Sequence, residues 1–339
     1  MNILIISPNK IWGGAATANL SIAKLLQSKG NRVLYVDEFC LYDEYDGIPI
    51  SHEKFARGAK TKHDFHIYVQ EHAIDVVIWG VMMVMPYYYL TIHSLAKRGI
   101  RQLAIFHSLS LAQNLKGMLL EKLVACSVAP LNTLVYVSGY TKKTWEGKYM
   151  SFRKKNADSI VIHNPIAFSP SATARKLSDL NRIKIGFVGR FSEEKQPEVF
   201  CELSSFPELS CYAWGEGILL EKLQAKYQNV SFMGLERDID KIYSNIDILV
   251  VTSIFENCPM VILEAMAKGI PCVAPDVGGI GEILQHGNNG RLFKEYSSLE
   301  ILTEINLVLD SYGDYSQRCI KESHKYTFNA LWEKWEIVI

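Results

Sequence analysis

What most constrains the fold of this 339-residue chain is a rhythm of short, continuously apolar runs rich in β-branched residues, separated by stretches with helical patterning. "NILIIS", "RVLYVD", "DVVIWG", "RQLAIFH", "TLVYVS" and "SIVIHN" recur through the first half. Runs that do not alternate with polar residues belong to strands covered on both faces, as in a parallel sheet flanked by helices. A stretch rich in Pro, Ser and small residues, "HNPIAFSPSATARKLSDLN", interrupts the rhythm, which restarts with "IKIGFVG", "LSCYAWG", "VSFMG", "DILVVTS" and "PCVAP". The expected class is α/β, with two doubly wound units, and the length agrees, since a single core rarely grows this far.

Composition closes off other classes. Hydrophobic residues make up 48% and charged residues 21%, which excludes a disordered or fibrous chain. The longest apolar run, "VVIWGVMMVMPYYYL", has 15 residues and contains Gly80 and Pro86, whereas a spanning helix needs roughly 20. The opening "MNILIISPNK" lacks the basic segment and cleavage site of a signal peptide. Seven scattered cysteines without a CxxC pair argue against a disulfide framework or a zinc site, and a cytoplasmic setting is expected. Net charge is zero, yet residues 1–175 hold 20 Lys+Arg against 12 Asp+Glu. That imbalance points to an anionic partner of the first half, such as a phosphorylated lipid or a membrane surface; chance placement of solvated charges is the competing reading.

In doubly wound sheets, ligands sit beyond the carboxyl ends of the strands. That rule picks out Gly13, Gly14, His107, Gly189, Arg190, Gly215 and Glu256. In "GFVGRFSEEKQPE" a strand ending at Gly189 delivers Arg190 and Lys195 beside a helix start at Pro197, two cations suited to a diphosphate. Surface pairing of these cations with Glu193, Glu194 or Glu198 is the alternative. In "SIFENCPMVILEAMAKGIPCVAPD", Glu256 falls in a loop and Glu264 in a helix beginning near Pro259. Eight helical residues would separate them by about 12 Å, too far for a glycosidase-like carboxylate pair, so they are expected to hold different parts of one elongated ligand. The N–H groups of 257–261 favour an anion, whereas a carboxylate accepts from a vicinal diol.

These motifs together carry a resemblance. "SIFENCPMVILEAMAKGIPCVAPDVGGIGEILQHGNNGRLF" resembles the E-x7-E signature of the retaining nucleotide-sugar transferases called glycosyltransferase family 4, with their Gly-Gly-x-x-Glu and Asn-Gly elements, and "VGRFSEEKQP" resembles that family's phosphate clamp. The early Gly-Gly loop, "FH" at 106–107, "VS" at 137–138, "IHNPI" at 162–166 and "WGEG" at 214–217 extend it across almost the whole chain.

The resemblance implies a GT-B architecture of two Rossmann-like domains facing across a cleft: residues 1–165 for the acceptor, a linker over 166–182, 183–320 for the donor, and 321–339 as a C-terminal helix returning to the first domain. It implies transfer of a hexosyl unit, with retention, from a nucleoside-diphosphate sugar, a UDP-sugar being the expected donor, to a glycan or lipid-linked saccharide in lipopolysaccharide or surface polysaccharide synthesis. Residue by residue, Arg190 and Lys195 would hold the diphosphate, Glu256 the sugar and Glu264 the ribose. Asn257, Cys258, Pro259, Met260 and Val261 would meet sugar and diphosphate, Gly13, Gly14, Gly189 and Gly215 would permit close approach, and His107 would line the reaction centre. Many relatives have Gly-Phe where this chain has Asn257–Cys258, so sugar selectivity does not carry over.

No cofactor or metal is expected. "ERDIDKIY" contains Asp238-Ile239-Asp240, but these acids open a helical pattern rather than a DxD metal site. "IWGGAATAN" lacks a full GxGxxG. His93, His163 and His286 read as structural. The basic, aromatic segment "TKKTWEGKYMSFRKKN" reads as facing either the cytoplasmic membrane surface or water, and no nucleic-acid motif supports it. A nucleotide-sugar epimerase, a sugar-phosphate synthase or a non-catalytic nucleotide-sugar binding protein are the rival functions.

Overall fold

The computed structural model describes the chain apart from residues 8–12, 38–43, 46, 52–58, 81, 132, 150–157, 178, 180 and 181. Two units result: Met1–Ala167 together with Phe328–Ile339, and Phe168–Thr327.

The first unit is built on β1 (Asn2–Ile6), β2 (Arg32–Val36), β3 (Glu44–Tyr45), β4 (Ile48–Ser51), β5 (Val76–Trp79), β6 (Arg101–Phe106), β7 (Thr133–Tyr136) and β8 (Asp158–Val161), in the sheet order β3-β4-β2-β1-β5-β6-β7-β8. Its pairings are parallel except for β3–β4. Every residue of β5 is buried, as are Ile3 to Ile6 of β1, because helices cover both faces. Phe65 stacks on Trp79 in the core with Tyr88 tilted against both, and Phe106 packs against Tyr136 and edge-on against Trp145.

In the second unit, β9 (Ile183–Val188), β10 (Leu209–Trp214), β11 (Val230–Gly234), β12 (Ile248–Val250), β13 (Cys272–Pro275) and β14 (Gly290–Phe293) form a parallel sheet in the order β11-β10-β9-β12-β13-β14. This is the dinucleotide-fold order, in which the winding reverses beside the first strand and a crevice opens at the carboxyl ends. The reversal falls between β9 and β12 here, and between β1 and β5 in the first unit.

The apolar runs become strands where expected. The sequence reading did not find β14 or the β3–β4 hairpin. "GRLF" is short, opens with glycine and carries a charge, while β3 has two residues and β4 contains Pro49 near a sheet edge.

From Phe168 on, the described part of 166–182 is fastened to the second unit. Ser171 donates its backbone N–H to the Ala267 carbonyl (2.7 Å), and Arg175 donates to Ser316 Oγ (2.8 Å) and to the Tyr243 carbonyl (2.6 Å). Residues 321–327 stay with the second unit, whereas the helix Phe328–Val338 belongs to the first. There Lys29 donates to Asn329 (3.0 Å) and lies over the Trp332 ring, and Arg101 donates to the carbonyls of Ile339 (2.7 Å) and Ile337 (3.1 Å). Charged donors of this kind contribute roughly 1–3 kcal/mol each. Arg101→Ala should therefore raise amide hydrogen exchange about tenfold or more across 328–339 and leave the second unit's protection unchanged, as read by mass spectrometry.

Candidate functional site

The second unit's crevice is framed by two loops. After β9 the chain turns through Gly189, Arg190 and Phe191 into a short 3-10 turn, Glu193–Lys195, closed by Gln196 in a left-handed conformation (φ 45°) with Pro197 opening the next helix. The loop after β10 lies directly on it. Phe191 donates its N–H to the Glu216 carbonyl (2.9 Å), and a Cβ on Gly215 (φ 133°) would stand 1.9 Å from the Gly189 carbonyl oxygen. Gly215 thus serves backbone-to-backbone contact, which only glycine permits at that φ.

The loop after β12 is stitched to the first. Thr252 Oγ1 donates to the Lys195 carbonyl (2.8 Å) and the Ile254 N–H to the Glu194 carbonyl (3.0 Å). These bonds bring Lys195 Nζ to 2.5 Å from Glu256 Oε1, which also accepts from Ser253 Oγ (2.8 Å). Tyr296 in turn donates to the Ser253 carbonyl (2.8 Å). Glu256 is fixed from behind as well: Gly279 donates its N–H to the Glu256 carbonyl (2.9 Å), and a Cβ on Gly278 (φ 59°) would fall 1.9 Å from that oxygen. Surface pairing describes Arg190, which meets Glu194 at 3.4 Å, but not Lys195; Glu198 is taken by Lys226.

Beyond Glu256 the chain enters the helix Met260–Ala267, preceded by Pro259 with no side-chain cap. Cys258, Pro259 and Met260 are buried, while Asn257 and Val261 are half-buried. The first N–H groups of a helix have no partner within it. Glu264 is buried, and Tyr243 Oη lies 2.9 Å from its Oε2 and 3.1 Å from the Val261 carbonyl. One phenol proton cannot satisfy both acceptors. Burial pushes the Glu264 carboxyl up to about 7, against the Tyr243 hydrogen bond that lowers it. When protonated, Glu264 can donate to Tyr243 while the phenol donates to Val261; when ionised, it accepts the phenol proton.

In the first unit a polar chain, buried at Ser7 and Asn19 and half-buried at His107, occupies the crevice between β1 and β5. Asn19 Nδ2 donates to Ser7 Oγ (2.8 Å) and the Gly80 carbonyl (3.0 Å), which turns Asn19 Oδ1 toward His107 Nε2 (2.8 Å). His107 therefore carries its proton on Nε2, leaving Nδ1 an acceptor. Burial lowers its pKa to about 4, so the ring is neutral at pH 7. A Cβ on Gly80 would stand 2.5 Å from Asn19 Nδ2, so the chain requires glycine there. Gly13 is extended (φ −174°), and Gly14 opens the helix Gly14–Ser28 with open space where a Cβ would lie.

Asp238, Asp240 and His286 have structural partners. Asp238 caps the helix Ile239–Tyr243, Asp240 pairs with Lys268 (2.5 Å), and His286 Nδ1 accepts from the Leu292 N–H (2.9 Å). Of the basic segment, residues 150–156 lie outside the described residues. Its described lysines include Lys142, bonded to the Ser159 carbonyl (3.2 Å), and Lys148, bonded to that of Ser110 (2.9 Å).

Residues 170–326 match the model of the glycosyl transferases group 1. That match runs over nearly the whole of the second unit, Phe168–Thr327. The O-antigen biosynthesis glycosyltransferase WbnH of Escherichia coli is 28% identical over 197 residues, 56% of this chain and 57% of that protein. The lipopolysaccharide 1,6-galactosyltransferase of Salmonella typhimurium is 26% identical over 47% of this chain and 44% of its own. The chain thus spans about half the length of the curated relatives it matches. Anabaena HepE, solved in complex with UDP, superimposes with a TM-score of 0.80 at 18% identity over 99% of each chain. That likeness carries the fold, which is α/β of the GT-B class with two Rossmann-like sheets.

The group 1 segment contains Arg190, Lys195, Glu256 and Glu264, and also Ser253, Tyr243, Gly278 and Gly279, whose contacts with those residues the sequence did not reveal. Gly-Gly at 278–279 was visible as a motif without a purpose. Asn19 was visible only as a polar residue on the apolar face of its helix.

Gly278→Ala should displace Glu256 and cost roughly 2–4 kcal/mol in denaturant unfolding. Glu264 and His107 should act oppositely with pH. Glu264 keeps its proton to about 7 when folded against 4.5 when unfolded, so its contribution is full below 4.5 and lost as pH rises to 7. His107 stays neutral down to about 4 against 6.5, so its contribution is full above 6.5 and lost as pH falls to 4. The two contributions offset each other between pH 4.5 and 6.5, so Glu264→Gln should unmask a melting temperature that rises over that range, measured by calorimetry.

Proposed function

We propose that the chain is a retaining glycosyltransferase that moves a hexosyl unit from a UDP-sugar to a hydroxyl of a glycan or lipid-linked saccharide, in the synthesis of lipopolysaccharide or another surface polysaccharide. The observation that carries this reading is the opposed pair Lys195–Glu256, held at 2.5 Å in the β9/β12 crevice. A nucleotide sugar offers each member a better partner: phosphate oxygens for the ammonium, and sugar hydroxyls, which donate, for the carboxylate. Glu264, in the helix that follows Glu256's loop, accepts from the ribose diol once ionised. UDP is chosen because HepE, similar over its whole length, was solved with it; the lipopolysaccharide pathway follows the names of the curated relatives.

Charge gathers on the diphosphate as the anomeric C–O bond breaks. Arg190 and Lys195 stabilise that charge, a preorganised electrostatic role that needs no metal. The acceptor hydroxyl attacks from the face the diphosphate leaves, and its proton passes to the departing phosphate oxygen, which preserves anomeric configuration. In the first unit, neutral His107 with Asn19 behind it serves the acceptor side.

Incubation with a panel of UDP- and GDP-sugars and acceptors tests this, with chromatography of the products. Transfer with retention and a rate unchanged by EDTA are expected; UDP binding without turnover on any donor would make the protein a binding protein instead. Lys195→Ala should weaken UDP binding and lower kcat by about 10²-fold, whereas Glu256→Ala should lower turnover of the sugar donor and leave UDP affinity within a few-fold. Because the ribose favours ionised Glu264, UDP should bind more tightly as pH rises through about 7, and Glu264→Gln should lose that part of the dependence.

A further inference from the structure

The helix Leu115–Val128 carries apolar side chains on two opposite faces. Val124 and Val128 are buried in the first unit's core with Phe106, Tyr136 and Trp145. On the other side Leu115, Leu119 and Leu123, spaced four apart, form one stripe, and they are 84%, 56% and 47% exposed. Lys116 and Lys122, both exposed, flank that stripe about 60° to either side of its centre at 100° per residue. Met118 and Leu120 widen the apolar face, and Leu111 just before the helix is exposed as well.

The helix is held rigidly. Asn114 caps it by accepting from the Gly117 N–H (2.8 Å). Its one acid, Glu121, is buried and accepts from Ser110 Oγ (2.9 Å), the Ala112 N–H (3.0 Å) and Tyr149 Oη (2.9 Å). The outward face is therefore apolar and cationic, with no carboxylate of its own. An exposed row of leucines on a fixed helix marks a contact surface rather than scattered surface residues. A second copy of the helix would bring lysines against lysines around the seam. An anionic bilayer satisfies both features at once, taking the leucines into its acyl boundary and the lysines among its phosphates. The excess of cations over residues 1–175 agrees in sign.

We infer that the helix Leu115–Val128 docks the first unit on an anionic membrane surface, with Leu115, Leu119 and Leu123 inserted and Lys116 and Lys122 at the headgroups. Among the described residues no helix is long and apolar enough to cross a membrane. This deepens the proposed function by placing the acceptor on a lipid, and it rests on that reading only for its purpose.

The test is cosedimentation of the full chain with phosphatidylcholine vesicles, with and without phosphatidylglycerol. Binding to the anionic vesicles, several-fold weaker in high salt, is expected. The combined Leu115→Ser, Leu119→Ser and Leu123→Ser variant should lose about tenfold or more of it, with melting temperature and UDP affinity unchanged. Lys116→Glu with Lys122→Glu should abolish the preference for the anionic vesicles. Equal binding to both vesicle types, or undiminished binding by the serine variant, would overturn the inference. So would a dimer in light scattering that the serine variant makes monomeric while wild-type protein ignores vesicles, which would assign the stripe to self-association. Failure of UDP to bind would count against the donor reading and leave the vesicle result standing.

Discussion

Everything in the candidate site follows from one constraint: parallel strands cannot be joined by tight turns, so each connection must cross over a face of the sheet. Where successive crossovers go to opposite faces, the loops at the carboxyl ends separate and leave a crevice. In the second unit this happens between β9 and β12, and the two loops released there are the ones that carry Lys195 and Glu256. The same reversal between β1 and β5 brings Ser7, Asn19, Gly80 and His107 together in the first unit.

Opposite charges in such a crevice are held by backbone as much as by side chains. Thr252 and Ile254 tie the second loop to the first, Gly279 binds the Glu256 carbonyl, and Gly278 lets that carbonyl approach. The pair is partly exposed, so its net contribution to stability is small. Its significance lies in geometry, since a cation for phosphate and a carboxylate for hydroxyls stand side by side on rigid strand ends. Glu264 is different: it is buried with Tyr243, and its charge is set by desolvation rather than by a cation.

Much of this was legible in the residues. Continuous apolar runs predicted the strands because both faces of the sheets are covered, and the strand-end rule pointed to Arg190, His107 and Glu256. The hairpin of β3 and β4 and the edge strand β14 were not legible, because short elements at sheet edges lack an apolar signature. The partners of the site residues were equally hidden. Nothing in "YSNID" marks Tyr243 as the neighbour of Glu264, 21 positions away, nor does Asn19 announce that it will orient a histidine 88 positions later.

The sequence by itself determined the α/β class, the two repeated units and the chemical types available at the strand ends, because burial periodicity and residue type are local properties. Only the tertiary structure decided which of those groups meet. Lys195 rather than Arg190 faces Glu256, burial pushes the Glu264 carboxyl up to about 7, and a helix after β6 turns leucines outward. These are outcomes of crossover direction and packing, and a pattern of residues along one chain does not contain distances between its parts.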